Sequence, residues 1–144
     1  MTENAIVIAA DHAGRPLKTA LVNALTAKGY HVLDLGAEGD EAVDYPDYAS
    51  ALARRIEAGA AERGVLICGS GIGMSIAANR HRAVRAALCR DVESARLARL
   101  HNDANVLVLG GRTISAADAE ACLDAFLTTP FEGGRHARRV AKLA

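Results

Sequence analysis

Aromatic residues are scarce in this sequence of 144 residues. Phenylalanine, tyrosine and tryptophan together make up 3% of it, and tryptophan is absent. Because aromatic rings are the platforms on which unpaired bases stack, binding of single-stranded nucleic acid by stacking is disfavoured. Since 51% of the residues are nevertheless hydrophobic, the core must be built from aliphatic side chains and alanine.

The sequence also lacks an excess of charge of either sign. Seventeen Lys and Arg residues balance seventeen Asp and Glu residues, so the formal net charge is zero. A general attraction to polyanions is therefore not expected, and we predict no nucleic-acid partner. The carboxyl-terminal stretch "EGGRHARRVAKLA" is a local exception because it is basic.

Long hydrophobic runs and metal-type cysteine spacing are absent as well. No apolar run approaches the roughly 18 residues that a membrane span needs, and no secretory signal is recognisable at the amino terminus. The three cysteines, Cys68, Cys89 and Cys122, are odd in number and are not spaced like metal ligands. We therefore expect free thiols in a reducing compartment, and a soluble cytoplasmic protein with no membrane partner.

What the sequence does contain is a regular alternation of short β-like runs and longer helical runs. Strands are predicted at 5–10, 31–36, 64–68, 84–89 and 105–110, and helices at 15–29, 45–59, about 72–80, about 91–100, about 115–128 and about 133–144. Parallel neighbours need crossover connections, so this order predicts an α/β protein. We expect a single Rossmann-like αβα sandwich over residues 1–144, with a five-stranded, mostly parallel sheet whose ligands bind beyond the carboxyl ends of the strands.

The third predicted strand ends in a cysteine at the edge of a glycine-rich loop, within "GVLICGSGIGMSIAANR" at 64–80. The glycines allow a tight turn whose N–H groups, with the start of the next helix, would bind an anion. Met74 stands where a dinucleotide loop needs its third glycine and where a C-x5-R phosphatase loop needs its arginine, and the G-K-[ST] ending of a Walker loop is missing. Cys68 is therefore either a buried hydrophobe or a thiolate stabilised by the loop and Ser70, whereas Cys89 and Cys122 are expected to be structural.

Further acid/base residues follow or precede other strands. Asp11 and His12 follow the first strand, Tyr45 lies in the loop after the second, and His101 and Asn102 are placed between the fourth helix and the fifth strand. Each also has a structural interpretation, since Asp11 or His12 could cap a helix, Tyr45 could anchor a loop and His101 could stabilise a helix terminus.

Two arginines of the basic tail, Arg135 and Arg139, are four residues apart. This spacing places both on one face of a helix. They form either part of a solvated basic face or a phosphate clamp, because guanidinium groups bind phosphate oxygens in a fork.

The motifs together resemble the type B ribose-5-phosphate isomerases, a family that includes galactose-6-phosphate isomerase subunits and allose-6-phosphate isomerases. "DHAG", "DYPDYA", "CGSGIGMSIAANR", "HNDANVLVLGGR" and "FEGGRHARRV" occur in the family's order and spacing and cover essentially the whole chain. The resemblance implies a Rossmann-like fold and aldose–ketose isomerisation of a sugar phosphate, with no metal or other cofactor. The alternative is a non-catalytic sugar-phosphate or nucleotide-binding module, which would not need Cys68, Ser70 and His101 together.

The resemblance also implies a role for each site residue. It makes Cys68 the base that moves a proton between C1 and C2, Ser70 its assistant, and His101 the group that opens the sugar ring, with Asp11 at the ring oxygens. The substrate-binding residues it implies are His12, Tyr45, Gly69, Gly71, Ile72, Gly73, Asn102, Arg135 and Arg139. Ribose 5-phosphate is the expected substrate, with allose or galactose 6-phosphate as alternatives.

Finally, the resemblance implies a homodimer or a dimer of dimers with its sites at the subunit interface. His101 or the tail arginines would then come from a second subunit, and the last helix would pack on that partner.

Overall fold

The computed structural model describes residues 4–144, in which five strands alternate with helices. The strands are β1 (Ala5–Ala10), β2 (His31–Asp34), β3 (Arg63–Cys68), β4 (Ala86–Leu88) and β5 (Val106–Gly110). The helices are α1 (Arg15–Ala27), α2 (Tyr45–Glu57), α3 (Ile72–Ala78), α4 (Val92–Asn102), α5 (Ala116–Thr128) and α6 (Arg135–Ala141). The predicted α/β class is confirmed.

The five strands form one sheet in the order β2-β1-β3-β5-β4. All four neighbouring pairs are parallel, so the sheet is wholly rather than mostly parallel. β1 and β5 are buried along their whole length. Continuous apolar strands of this kind are expected where helices cover both faces of a parallel sheet.

The helices divide between the two faces of the sheet. Leu17 and Leu21 of α1, Ala95 of α4, and Leu123 and Phe126 of α5 belong to one buried apolar cluster. The other cluster contains residues of α2 and α3, among them Leu52 and Met74. The chain is therefore the predicted αβα sandwich, with α6 outside these two buried clusters. Among residues 4–144, no helix combines the length and the apolar composition that crossing a membrane requires.

Some predicted boundaries were wrong, and one of them concerns a candidate site residue. The helix predicted at about 91–100 begins at Val92, with Asp91 as its N-cap and Ser94 completing a capping box, and continues to Asn102. It ends because Asp103 adopts a left-handed conformation with φ of 47°. His101 and Asn102 therefore lie in the last turn of α4, not after the helix.

Several other elements are also shorter than predicted, among them two strands and the last helix. The edge strand β4 has three residues instead of the six at 84–89, and β2 ends at Asp34 instead of residue 36. The last helix occupies Arg135–Ala141 instead of about 133–144. Gly133 and Gly134, with φ of 71° and 55°, delay its start, because right-handed helical residues have negative φ.

The two edges of the sheet bring different parts of the chain together. At the carboxyl edge, the Asp11 N–H that follows β1 donates to the carbonyl of Ile67 in β3, with N and O 3.1 Å apart. At the amino edge, the Arg85 side chain that precedes β4 donates to the carbonyl of Asp103. In the sheet, β2 lies on one side of β1 and β3 lies on the other, so the strand order reverses at β1. A crevice therefore forms at the carboxyl ends of β1 and β3.

Candidate active site

The thiol of Cys68 lies inside the glycine loop at the carboxyl end of β3. Cys68 is buried, with 4% of its surface exposed, and its Sγ accepts a hydrogen bond from the N–H of Gly71 at 3.2 Å. Gly71 has φ of 80°, and a methyl group on its Cα would lie 2.5 Å from Leu88 Cδ1. Glycine is therefore needed at this position both for the turn and for its close approach to β4.

Ser70 does not supply the hydrogen bond to Cys68. Its hydroxyl oxygen accepts from the N–H of Ile72, with O and N 3.2 Å apart. The donor to the sulfur is the backbone N–H of Gly71, one residue further along the loop. The hydrogen bond to the sulfur that was expected from Ser70 is therefore supplied by the loop backbone.

Asp11 and His12 lie in the crevice beside this loop, at the carboxyl end of β1. Asp11 is 6% exposed, and its Oδ1 accepts from the N–H of Gly14 at 2.9 Å. Gly14 is the N-cap residue that immediately precedes α1, so the carboxylate orders the turn into that helix. The Nδ1 of His12 accepts from the N–H of Val43 at 3.2 Å. Nδ1 therefore carries no proton in this arrangement, and Nε2 is left as a donor.

Tyr45, the first residue of α2, packs against one side of the glycine loop. A methyl group on Gly73 would lie 2.5 Å from Tyr45 Cζ and 2.8 Å from its hydroxyl oxygen. The ring therefore packs directly on Gly73. Tyr45 and Gly73 both line a cavity of about 320 Å³ between α2 and α3.

Arg112 is a site residue that was not singled out from the sequence. It follows β5, its N–H donates to the carbonyl of Gly69 at 3.0 Å, and its Nη1 would lie 3.3 Å from a methyl group on Gly69. No carboxylate of residues 4–144 forms an ion pair with this exposed guanidinium. The rule that ligands bind after strand ends would have found it, because "GGR" follows the fifth predicted strand.

His101 and Asn102 form a second group with the last helix. Both line a cavity of about 310 Å³ together with His136 and Arg139 of α6. The rings of His101 and His136 are stacked, with centroids 4.3 Å apart and planes at 16°. Arg135 begins the same helix. The structure thus brings His101, Asn102 and Arg139 together, as one predicted subset of the site.

Within one chain, this second group is far from Cys68. In the register of β3 and β5, Gly64 pairs with Val106 and Cys68 pairs with Gly110. His101 precedes β5 and lies at the amino edge, whereas Cys68 lies at the carboxyl edge. The four residue steps from Gly64 to Cys68 alone span about 13 Å. One chain therefore holds two separate groups of candidate site residues. We call the group at the carboxyl edge the thiol half-site; it comprises Cys68 with its glycine loop, Asp11, His12, Tyr45 and Arg112. We call the group at the amino edge the imidazole half-site; it comprises His101 and Asn102 of α4 together with the last helix and Glu132 just before it.

Burial also shifts the pKa of two further thiols and one imidazole. Burial raises the pKa of Cys89, and it raises the pKa of Cys122 to about 11. Both thiols lie in the apolar cluster of α1, α4 and α5, which confirms them as core residues. In the imidazole half-site, burial and the neighbouring His101 and Arg135 lower the pKa of His136, which favours its neutral form.

Only one group of residues within 4–144 has the donor types and proximity to hold a metal ion. His101, Glu132 and His136 each offer one ligand atom, and these atoms lie within 4.8 Å of one another. They belong to the imidazole half-site and not to the thiol half-site.

Comparisons with known proteins agree on one family. A family profile described as ribose/galactose isomerase matches residues 6–143. Ribose-5-phosphate isomerase B of Escherichia coli is 44% identical over 135 residues, which cover 94% of this chain and 91% of that protein.

Two solved structures show the same architecture. A ribose 5-phosphate isomerase of Thermotoga maritima superposes with a TM-score of 0.95 at 53% identity and covers 96% of both chains. Ribose-5-phosphate isomerase B of Mycoplasma genitalium, solved with bound ribulose 5-phosphate, superposes with a TM-score of 0.93 at 41% identity, over 96% of this chain and 93% of that one.

Proposed function

Because the chain belongs to the ribose/galactose isomerase family and is a sugar-phosphate isomerase, we propose that it interconverts ribose 5-phosphate and ribulose 5-phosphate. The names of the relatives from E. coli and T. maritima support this substrate, as does the ribulose 5-phosphate bound in the M. genitalium structure. The observation that carries the chemistry is the Cys68 thiol, held against a backbone N–H at the crevice between β1 and β3.

The proposed reaction moves one proton between adjacent carbons of the open-chain sugar. The Cys68 thiolate removes the proton from C2 of the aldose, and the electrons of that bond form the C1–C2 double bond of a cis-enediolate. The negative charge develops on O1, where N–H groups of the loop from Gly69 to Gly73 would stabilise it. The thiol then returns the proton to C1, while the O2 proton passes to O1, leaving a carbonyl at C2.

The step needs a base of suitable strength and donors for the oxyanion. The thiol and the loop supply both, so we propose a reaction without a metal. Ser70 acts in this scheme through the loop, since its hydroxyl fixes the N–H of Ile72.

We assign the substrate's phosphate to cationic and N–H donors on both half-sites. On the thiol half-site, Arg112 lies against Gly69, and His12 has Nε2 free to donate. On the imidazole half-site, Arg135 and Arg139 are exposed, and no carboxylate of the described residues pairs with them. Guanidinium groups bind phosphate oxygens in a bidentate manner, which suits this set.

A complete site requires a second copy of the chain in this proposal. His101 would open the furanose ring, with Asp11 at the ring oxygens and with Tyr45 and Asn102 lining the sugar pocket. One chain holds His101 and Asp11 at opposite edges of the sheet. We therefore propose a homodimer in which the imidazole half-site of one chain faces the thiol half-site of the other, with α6 packed on the partner.

Exposed apolar side chains beside the thiol half-site support this assembly. Ile72 and Ile76 of α3 are 51% and 57% exposed. They are one helical turn apart and therefore share a face. Neighbouring apolar side chains exposed on one helix are typical of surfaces that a partner covers.

The test is a substrate comparison with protein treated with a metal chelator. We expect ribose 5-phosphate to give the highest kcat/KM among ribose 5-phosphate, allose 6-phosphate and galactose 6-phosphate, with no loss after chelation. A higher kcat/KM for a six-carbon substrate would replace the proposed substrate, and galactose is in the family's own description. Loss of activity on chelation would contradict the metal-free step.

A further inference from the structure

The side chains of His101, Glu132 and His136 converge at the imidazole half-site. One nitrogen of each imidazole and one carboxylate oxygen lie within 4.8 Å of one another. The His136 Nε2 and Glu132 Oε1 atoms are 3.9 Å apart, which is beyond hydrogen-bond distance. Two imidazoles and a carboxylate are a donor set that proteins use for zinc.

His136 provides a separate indication that something binds there. Its side chain is 7% exposed, and its Nε2 has no hydrogen-bond partner among residues 4–144. Buried polar atoms are almost always paired, because an unpaired one has lost its water without a replacement. The same nitrogen lies 3.9 Å from Glu132 Oε1, within the 4.8 Å that bounds the group of three donors.

The donors allow a metal ion after the stacked rings of His101 and His136 rotate relative to each other, because an imidazole ligates in its own ring plane and the two planes are only 16° apart. Zinc binds histidine nitrogen at 2.0–2.1 Å in a tetrahedral site, which puts neighbouring donor atoms about 3.4 Å apart. The Glu132 side chain is half exposed and can approach His136 without disturbing the core. The adjoining cavity of about 310 Å³ leaves room for a water molecule or an anion as the fourth ligand.

Charge and donor type restrict which ions would bind. Arg135 and Arg139 of α6 repel a cation, whereas the carboxylate of Glu132 attracts it. Imidazole favours zinc, cobalt, nickel and copper over the hard ions magnesium and calcium.

We propose that His101, Glu132 and His136 form an inhibitory site for a divalent transition-metal ion such as Zn²⁺. A metal ion on His101 occupies the nitrogen that would otherwise exchange a proton with the sugar ring. The inhibition, but not the site, rests on the proposed function. The site is regulatory and takes no part in the proton transfer at Cys68.

Binding is measured with Co²⁺ as a spectroscopic substitute for Zn²⁺, on the tag-free full chain. We expect visible absorption typical of four-coordinate cobalt with nitrogen ligands, and its displacement by Zn²⁺. E132Q and H136Q should each weaken binding by at least about 10- to 100-fold, the loss typical when only a hydrogen-bond partner of a metal ligand is removed. H31Q is the matched control, because His31 is an exposed histidine in β2 and should bind cobalt as the wild type does. Absence of the cobalt spectrum, or equal affinity in all variants, would overturn the site.

Activity is measured separately, as isomerisation with increasing Zn²⁺. Wild type should lose turnover over the concentration range in which cobalt competition reports binding, and chelator should restore it. E132Q retains every group assigned to the reaction, so it should be active and resistant to zinc. Metal binding without loss of turnover would overturn the inhibition and count against His101 as the ring-opening group, while leaving the site and the role of Cys68 in place.

Discussion

The three cysteines of this chain show how surroundings assign different roles to one residue type. Cys68 accepts the N–H of Gly71 in a loop beside the crevice. Cys89 and Cys122 lie among apolar side chains, where burial raises the pKa of both thiols. Of the three thiols, only Cys68 lies at the carboxyl edge of the sheet beside the crevice, so it is the one placed to meet a ligand.

Cys68→Ala should therefore abolish isomerisation without unfolding the protein. Loss of a general base typically lowers the rate by about 10² to 10⁴-fold, and the phosphate donors remain in place. The measurements are kcat for ribose 5-phosphate and the affinity for the substrate at equilibrium.

Cys122→Ala is the control for this prediction. It removes a sulfur from the core, so it should lower the free energy of unfolding by on the order of 1 kcal/mol and leave kcat unchanged. Near-normal kcat in Cys68→Ala would remove this thiol from the mechanism.

At the scale of elements, the short helix α6 carries the basic residues for which the sequence allowed either a solvated face or a phosphate clamp. Arg135, Arg138 and Arg139 are all exposed, but Arg139 lines the cavity with His101 and Asn102, whereas Arg135 and Arg138 do not. The helix therefore offers its own internal comparison between a phosphate-binding arginine and a solvated one.

Arg135→Ala and Arg139→Ala should each raise the KM for ribose 5-phosphate. A charge-assisted hydrogen bond contributes about 1.5 to 3 kcal/mol, which corresponds to about 10- to 150-fold in KM. The unphosphorylated sugar should be turned over with unchanged kcat/KM.

Arg138→Ala, the matched change on the same helix, should affect neither substrate. If all three variants behave alike, or if both sugars are affected equally, α6 is a solvated basic face and the phosphate is bound elsewhere.

At the scale of the whole molecule, the separation of the two half-sites makes a second chain part of the proposed site. Cys68 ends β3 and His101 precedes β5, and parallel pairing of these strands keeps them at opposite edges of the sheet. Side-chain motion does not close this gap, because β3 and β5 are paired over the four residue steps from Gly64 to Cys68 and so hold the two edges about 13 Å apart.

Two inactive variants should therefore restore each other's activity. In a mixed dimer of Cys68→Ala with His101→Asn, one site keeps both the thiol and the imidazole, and the other site has neither. Equal mixing by joint refolding should recover about a quarter of wild-type activity on the cyclic substrate, since half of the dimers are mixed and each has one intact site.

The baseline for this experiment is the activity of each variant refolded alone. A mixture no more active than the mean of those two samples would show that each chain carries a complete site.

The local sequence determined the alternation of strands and helices and the chemistry at individual strand ends. Apolar periodicity, glycines and the motif around Cys68 are short-range signals, so they indicated the elements, the loop and its thiol from neighbouring residues alone. The end of α4 was misjudged because it depends on the left-handed conformation of Asp103, which an aspartate adopts only occasionally.

Only the tertiary structure decided which strand ends meet. Strand order arises from packing between residues distant in the chain, and it placed Asp11 beside the Cys68 loop, Arg112 against Gly69 and His136 on His101. The same strand order put His101 at the edge opposite Cys68. No spacing in the sequence encodes that separation, because the direction in which each helix returns across the sheet is set by the pairing of its flanking strands.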